Sequence, residues 1–193
     1  MGVILASQSP RRRELLALLQ IPFDVEVSGE KEIIPEDACP EQIVMALAEQ
    51  KAQHVFLRHP NHCVIGADTI VVLDGHILGK PKTATQAVEY LSALQGKNHH
   101  VLTGICVKTP HGSLTRYEST LVRFRPMTID EITWYASTGD PMDKAGAYGV
   151  QGLACCFVDS VDGNFFNVVG LPLPLLYSML LELRVMDTAH MLL

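Results

Sequence analysis

The chain has no surplus of positive charge. Its 193 residues include 15 Lys and Arg against 21 Asp and Glu, a formal net charge of -6, which argues against binding a nucleic-acid polymer through bulk basicity. It also lacks an uninterrupted apolar run long enough to span a bilayer. Val168 to Leu183 comes nearest, but Gly170, Pro172, Pro174 and Glu182 interrupt it, so a buried or half-buried helix is expected and no membrane partner. The amino-terminal apolar segment has no basic leader or cleavage-like core and ends in Ser7-Gln8-Ser9-Pro10, so no secretion signal is expected. Cys39, Cys63, Cys106, Cys155 and Cys156 form an odd set without metal spacing. Reduced thiols, mostly in the core, of a cytoplasmic protein are predicted, and no zinc. With no internal repeat, coiled coil or low-complexity linker, residues 1–193 read as a single domain.

Against only 19% charged residues, the run Ser9-Pro10-Arg11-Arg12-Arg13 stands out. Val3-Ile4-Leu5-Ala6 before it reads as a strand. Ser9 fits an N-cap, Pro10 the first helical position, and Leu15, Leu16 and Leu19 an apolar stripe. A helix start already favours negative charge, so three cations there suit an anion held by guanidinium and amide donors, such as phosphate. Taken locally, a solvated basic turn before a surface helix fits equally well.

Further along, a helix is expected from Pro40 to about Phe56, with Ile43, Val44, Leu47, Ala48 and Val55 facing inward. Cys63 to Ala67 reads as a buried strand ending at Asp68, and Thr69 to Leu73 returns to a strand pattern before the Asp74-Gly75 turn. A helix capped by Thr83 or Thr85 should stop at Gly96. Two long strands surround Pro110-His111-Gly112, and Thr128 with Glu131 has capping-box spacing. Cys155 to Val158 and Phe165 to Val169 are predicted to form a final hairpin around Asp162-Gly163, and Leu171 to Leu183 the closing helix. Helices alternate with strands early and hairpins follow later, which predicts an α/β fold with a mixed twisted sheet flanked by helices, in two lobes around a cleft.

Asp68, at the end of a buried strand, could bind a divalent ion, orient water as a base or cap a turn. Glu32, viewed alone, reads as a solvated acid. Folded toward Ser9 and Asp68, it would add a second oxygen ligand beside a polyphosphate, a set suited to magnesium. Lys51 and Lys80 each read as surface lysines unless their ammonium groups reach phosphate oxygens, and the fixed backbone of Gly79-Lys80-Pro81 favours Lys80. The glycines of Asp143 to Gly152 permit close approach to a ligand, and Gln151 both donates and accepts, as a base edge requires. A tight loop in which Tyr148 packs and Gln151 serves backbone groups explains the same segment. His99 and His100 face opposite sides of a strand and have no short-spaced partner, so structural or exposed roles are expected. Ser7 and Ser9 suit phosphate donation better than nucleophilic attack.

Leu5 to Leu16, Lys51, Gly66-Ala67-Asp68-Thr69-Ile70-Val71, Gly79-Lys80-Pro81, Asp143 to Gly152 and Val169-Gly170-Leu171-Pro172-Leu173 together resemble the Maf family of nucleotide pyrophosphatases. The resemblance implies the fold shared with inosine-triphosphate pyrophosphatases, a homodimer, and hydrolysis of a nucleoside triphosphate to the monophosphate and pyrophosphate. It assigns Asp68 as general base and Glu32 to metal or water placement, with magnesium the expected ion and manganese an alternative. Ser7, Arg11, Lys51 and Lys80 hold phosphate, and Arg12, Thr69 and Gln151 discriminate the base. Asp143 to Gly149 resembles the subgroup acting on dTTP and UTP, with modified pyrimidine triphosphates as further candidates, rather than the 7-methyl-GTP subgroup. Glu30-Lys31-Glu32 departs from the adjacent acidic pair of relatives, leaving two glutamates for one place. The competing expectations are a non-catalytic nucleotide-sensing regulator of cell division and a pyrophosphatase for 7-methyl-GTP or another damaged nucleotide.

Overall fold

The computed structural model describes residues 1–186. Its seven-stranded mixed sheet has the order β2-β1-β3-β5-β6-β7, and β4 pairs with β3. These strands are β1 (Val3–Ala6), β2 (Phe23–Val25), β3 (Cys63–Leu73), β4 (His76–Leu78), β5 (Asn98–Thr109), β6 (Gly112–Phe124) and β7 (Val158–Asp162). The helices are α1 (Pro10–Ala17), α2 (Pro40–Arg58), α3 (Ala84–Leu94), α4 (Ile129–Ser137), α5 (Phe165–Val169) and α6 (Leu173–Glu182). β1 runs parallel to both β2 and β3, whereas β3 with β4 and β6 with β7 are antiparallel. This is the mixed α/β class expected from the alternation of elements. Among the described residues no helix is long and apolar enough to cross a membrane.

The chain divides into two compact units. The first comprises Met1–Asp68, Thr103–Glu118 and the segment from Gly170 onward. Its core gathers Ile4, Ala6, Ala48, Ala52, Val55, Val64 and Cys106. Ile43, Val44, Leu47, Ala48 and Val55 of α2 are all buried, as their helical spacing required. Two glycines let α2 lie directly on the strands. A Cβ at Gly66 would stand 2.2 Å from the Ala48 carbonyl oxygen, and one at Gly104 would stand 2.2 Å from that of Val44.

The second unit comprises Thr69–Leu102 and Ser119–Val169. Tyr135, Leu91, Leu94, Phe124 and Phe157 are among its fully buried side chains, the leucines and phenylalanines each worth roughly 1.5–3 kcal/mol of transfer free energy. Thr83 caps α3 by accepting from Gln86 N, and the Thr128/Glu131 capping box starts α4. Asp74 and Gly75 both take positive φ, as a tight hairpin turn demands.

The structure corrects four expectations. β3 continues without a break from Cys63 to Leu73, so Asp68 lies within a strand rather than at its end. The final hairpin does not form: Leu153–Phe157 is a 3-10 turn and Phe165–Val169 is helical. The Asn164 carboxamide oxygen accepts from Phe166 N and Asn167 N, which turns this mostly apolar segment into a helix start. Buried Asn167 then donates to the Val101 carbonyl at 2.8 Å and to Thr120 Oγ1 at 2.9 Å, anchoring α5. Only Cys63 and Cys106 are buried thiols, and Cys39, Cys155 and Cys156 are exposed. Finally, β2 was not anticipated. Its three residues are too few and too exposed to show alternation.

Candidate active site

The site begins where β1 hands over to α1. Ser7 N donates to the Leu5 carbonyl at 3.0 Å, turning the chain sharply after the strand. The Ser7 hydroxyl accepts from Ser9 N at 3.1 Å, and Ser9 caps α1 by accepting from Arg12 N at 3.4 Å. Ser7 is buried, Arg11 and Arg12 are half-buried and Arg13 is exposed. Arg13 thus faces solvent while the two arginines before it are partly enclosed.

Arg12 is turned into the first unit. Its Nη1 donates to the Ala67 carbonyl at 2.8 Å and lies 3.4 Å from Ser7 Oγ, while its Nε donates to the Gly170 carbonyl at 2.8 Å. Burial pushes its guanidinium below the ordinary range. Asp68 and Glu32 oppose that shift, and Arg11 adds to it. The cation that reads as surplus at the helix start therefore ties three segments together.

Asp68 follows Ala67 on β3 and is itself buried. Lys51, from the middle of α2, reaches it with Nζ at 2.5 Å from Asp68 Oδ1 and 3.1 Å from Glu32 Oε1. One ammonium thus joins two carboxylates brought from the loop between β2 and α2 and from a buried strand. The reach depends on how closely α2 lies to β3, because the Cβ lacking at Gly66 would also sit 2.8 Å from Ala52 N, the residue after Lys51. Glu32 is exposed and its loop has no regular structure, yet the next residue is held. Gln50 Oε1 accepts from Ile33 N at 2.9 Å and Gln50 Nε2 donates to the Ile33 carbonyl at 2.7 Å.

Among the described residues no group of three or more His, Cys, Asp or Glu could hold a metal ion alone. The two carboxylates on one ammonium are a different donor set. They offer hard oxygens from two directions, which fits an ion that keeps water and takes its other ligands from substrate phosphates, as magnesium does.

In the second unit, Thr69 is half-buried, and Lys80 and Gln151 are exposed. The Gly79 carbonyl accepts from Gly146 N at 3.1 Å, joining the Gly-Lys-Pro connection to the glycine-rich segment. Gly146 has φ +67 and its missing Cβ would meet the Val71 side chain at 2.7 Å, so glycine is required there twice over. Lys144 Nζ contacts Asp140 and Asp143, and Tyr148 is locked inside. Its hydroxyl lies 2.7 Å from His99 Nε2, and the two rings pack edge-to-face with Phe124. Burial lowers the His99 pKa to about 4, so His99 is a neutral anchor. His100 is exposed on the opposite side, as the strand period requires.

The structure thus brings Ser7, Arg12, Glu32, Lys51 and Asp68 into one arrangement within the first unit, with Arg11 on the same helix start. Thr69, Lys80 and Gln151 belong to the second. Residue patterns missed Gln50 and Gly104. A half-exposed glutamine on a helix carries no distinguishing signal, whereas a glycine inside the apolar β5 pattern does signal close backbone approach.

The family model described as Maf-like protein matches residues 2–183. The chain belongs to that family. It is similar to proteins named dTTP/UTP pyrophosphatase from several bacteria. That of Geobacillus sp. (strain WCH70) is 50% identical over 171 residues, covering 89% of this chain and 92% of the relative. That of Symbiobacterium thermophilum is 48% identical over 171 residues, covering 89% and 88%. The Bacillus cereus (strain G9842) protein is 44% identical over 188 residues, covering 97% and 98%. Among solved structures, the Staphylococcus aureus Ham1 protein aligns with a TM-score of 0.46 at 14% identity, over 64% of this chain and 72% of that one. At that level the likeness carries no argument, and the fold class rests on the strand order of this Maf-like chain.

Proposed function

We propose that this Maf-like protein hydrolyses nucleoside triphosphates, dTTP and UTP above all, to the monophosphate and pyrophosphate. The observation that carries the reading is Lys51 Nζ set between Asp68 and Glu32, beside a helix start furnished with Ser7, Arg11 and Arg12. The names of the relatives, at about half identity over most of both chains, support the choice of pyrimidine triphosphates.

Ser7 and Arg11 bind the phosphate tail, helped by the α1 amides and the positive end of that helix. Asp68 takes a proton from water as the water oxygen bonds to the α-phosphorus. The bond to the oxygen bridging the α and β phosphates breaks, and pyrophosphate leaves with the electron pair. Lys51 holds the Asp68 carboxylate in place and offers positive charge to the phosphate oxygens. Asp68 and Glu32 would hold Mg2+ or Mn2+, which when bound neutralises triphosphate charge and increases the electrophilicity of phosphorus. Lys80 supplies further charge to phosphate, and Arg12, Thr69 and Gln151 select the base. A homodimer in the cytoplasm completes the proposal, with the half-exposed Phe165 as interface material.

The test is pyrophosphate release from dTTP, UTP, CTP, 7-methyl-GTP and modified pyrimidine triphosphates, with and without Mg2+, by the purified protein and Asp68→Asn. Fast release from dTTP and UTP, reduced by about a hundredfold or more in the variant, is expected if Asp68 is the base. Tight dTTP binding without release would replace the enzyme with a sensor. Preference for 7-methyl-GTP would move the chain to another substrate.

A further inference from the structure

α2 contributes more than its lysine. Gln50 places both ends of its carboxamide on one peptide neighbour, accepting from Ile33 N at 2.9 Å and donating to Ile33 O at 2.7 Å. This is the two-bond pattern by which one strand grips another, supplied here by a side chain. Ile33 directly follows Glu32, whose Oε1 lies 3.1 Å from the Nζ of Lys51, the residue after Gln50. Neighbouring residues of α2 therefore hold neighbouring residues of the loop, one through backbone and one through charge.

The loop needs such a hold. Residues 26–39 form no helix or strand, and the Ile33 side chain is 72% exposed, so packing does not fix its register. The start of the loop is tied separately. Glu26 N donates to the Leu5 carbonyl at 3.1 Å, and Arg58 holds the Glu26 carboxylate and the Val27 and Ser28 carbonyls. Beyond Ser28 a slip of two residues would carry Glu30 into the place of Glu32 with its side chain on the same side, because side chains repeat every second residue in an extended segment. The contact at Ile33 opposes that slip.

We propose that Gln50 is a positioning residue for Glu32: its carboxamide sets the loop register so that Glu32, and not Glu30, faces Lys51. This rests on the pyrophosphatase reading of the site. Gln50→Leu removes both hydrogen bonds while keeping most of the side-chain volume. Loss of two hydrogen bonds predicts a fall in kcat for dTTP of about tenfold with KM changed less than about twofold. Amide exchange at Ile33 should rise while that of the core residue Val64 stays unchanged, and Gln50→Leu combined with Glu32→Gln should be no slower than Glu32→Gln alone.

Wild-type kcat in Gln50→Leu beside an impaired Glu32→Gln overturns the proposal, as does a double variant whose losses multiply. Faster exchange at Val64 as well as Ile33 marks general loosening and overturns it too. Full activity in Glu32→Gln removes the role that Gln50 would serve. If the unsubstituted protein releases no pyrophosphate, the enzymatic reading fails by itself. Unchanged exchange at Ile33 in Gln50→Leu rejects the clamp independently of turnover.

Discussion

Arg12 Nη1 donates to the Ala67 carbonyl at 2.8 Å, one residue before Asp68. β1 pairs with β3 only as far as Ala6 opposite Gly66, so the guanidinium takes over from the strand where the ladder stops. Its second bond, from Nε to the Gly170 carbonyl at 2.8 Å, fastens the segment entering α6 to the same point. The backbone that presents Asp68 is thus held by an arginine from the first turn of α1.

Lysine cannot reproduce that fork. Arg12→Lys should therefore leave at least one of the two carbonyls poorly satisfied, at a cost of about 1–3 kcal/mol in unfolding free energy. Urea denaturation of the free protein is the measurement. A variant as stable as the parent would mean that these hydrogen bonds are replaced by water without loss.

His99 makes stability depend on pH in a direction set by burial. Its ordinary pKa of 6.5 falls to about 4 in the folded chain, so the unfolded state binds the extra proton first. The stability that neutral His99 preserves is complete above about pH 6.5 and is lost as pH falls from there through 4, in total on the order of 3 kcal/mol. His99→Gln keeps a polar group near Tyr148 but does not titrate. Unfolding free energies at pH 7 and pH 4 should differ less in this variant than in the parent. Equal differences would show that His99 takes up its proton without unfolding.

Much of this arrangement was legible in the residues because local chemistry and tertiary structure agree. Ser9 and Thr128 cap the helices they were expected to cap, Thr83 is the one of two candidates that caps α3, and the inner face of α2 is the one its spacing marked. Phe165 to Val169 misled because a five-residue segment is too short to show a period. What decided it was Asn164, a side-chain acceptor immediately upstream. The candidate site was legible residue by residue but not as a geometry. Nothing in the spacing of Glu32, Lys51 and Asp68 shows that one ammonium meets both acids, since that depends on loop register and helix depth. Arg12 is the sharpest case: its charge is conspicuous in the sequence, while the Ala67 and Gly170 carbonyls it serves have no sequence signature at all.

Helix depth is itself testable at Gly66. An added methyl there would lie 2.2 Å from the Ala48 carbonyl oxygen, 2.8 Å from Ala52 N and 3.0 Å from Ala52 Cβ. The first two are backbone atoms of α2 that cannot rotate away. Gly66→Ala must therefore lift the helix, and overpacking of this kind costs about 1–3 kcal/mol or more. Lys51 lies between Ala48 and Ala52, so the same displacement should lengthen its 2.5 Å contact with Asp68. The expected result is a lower melting midpoint together with lost dTTP turnover in the fraction that stays folded. Full turnover in a folded Gly66→Ala protein would show that the approach of α2 to β3 does not set the Lys51 to Asp68 contact on which the proposed chemistry relies.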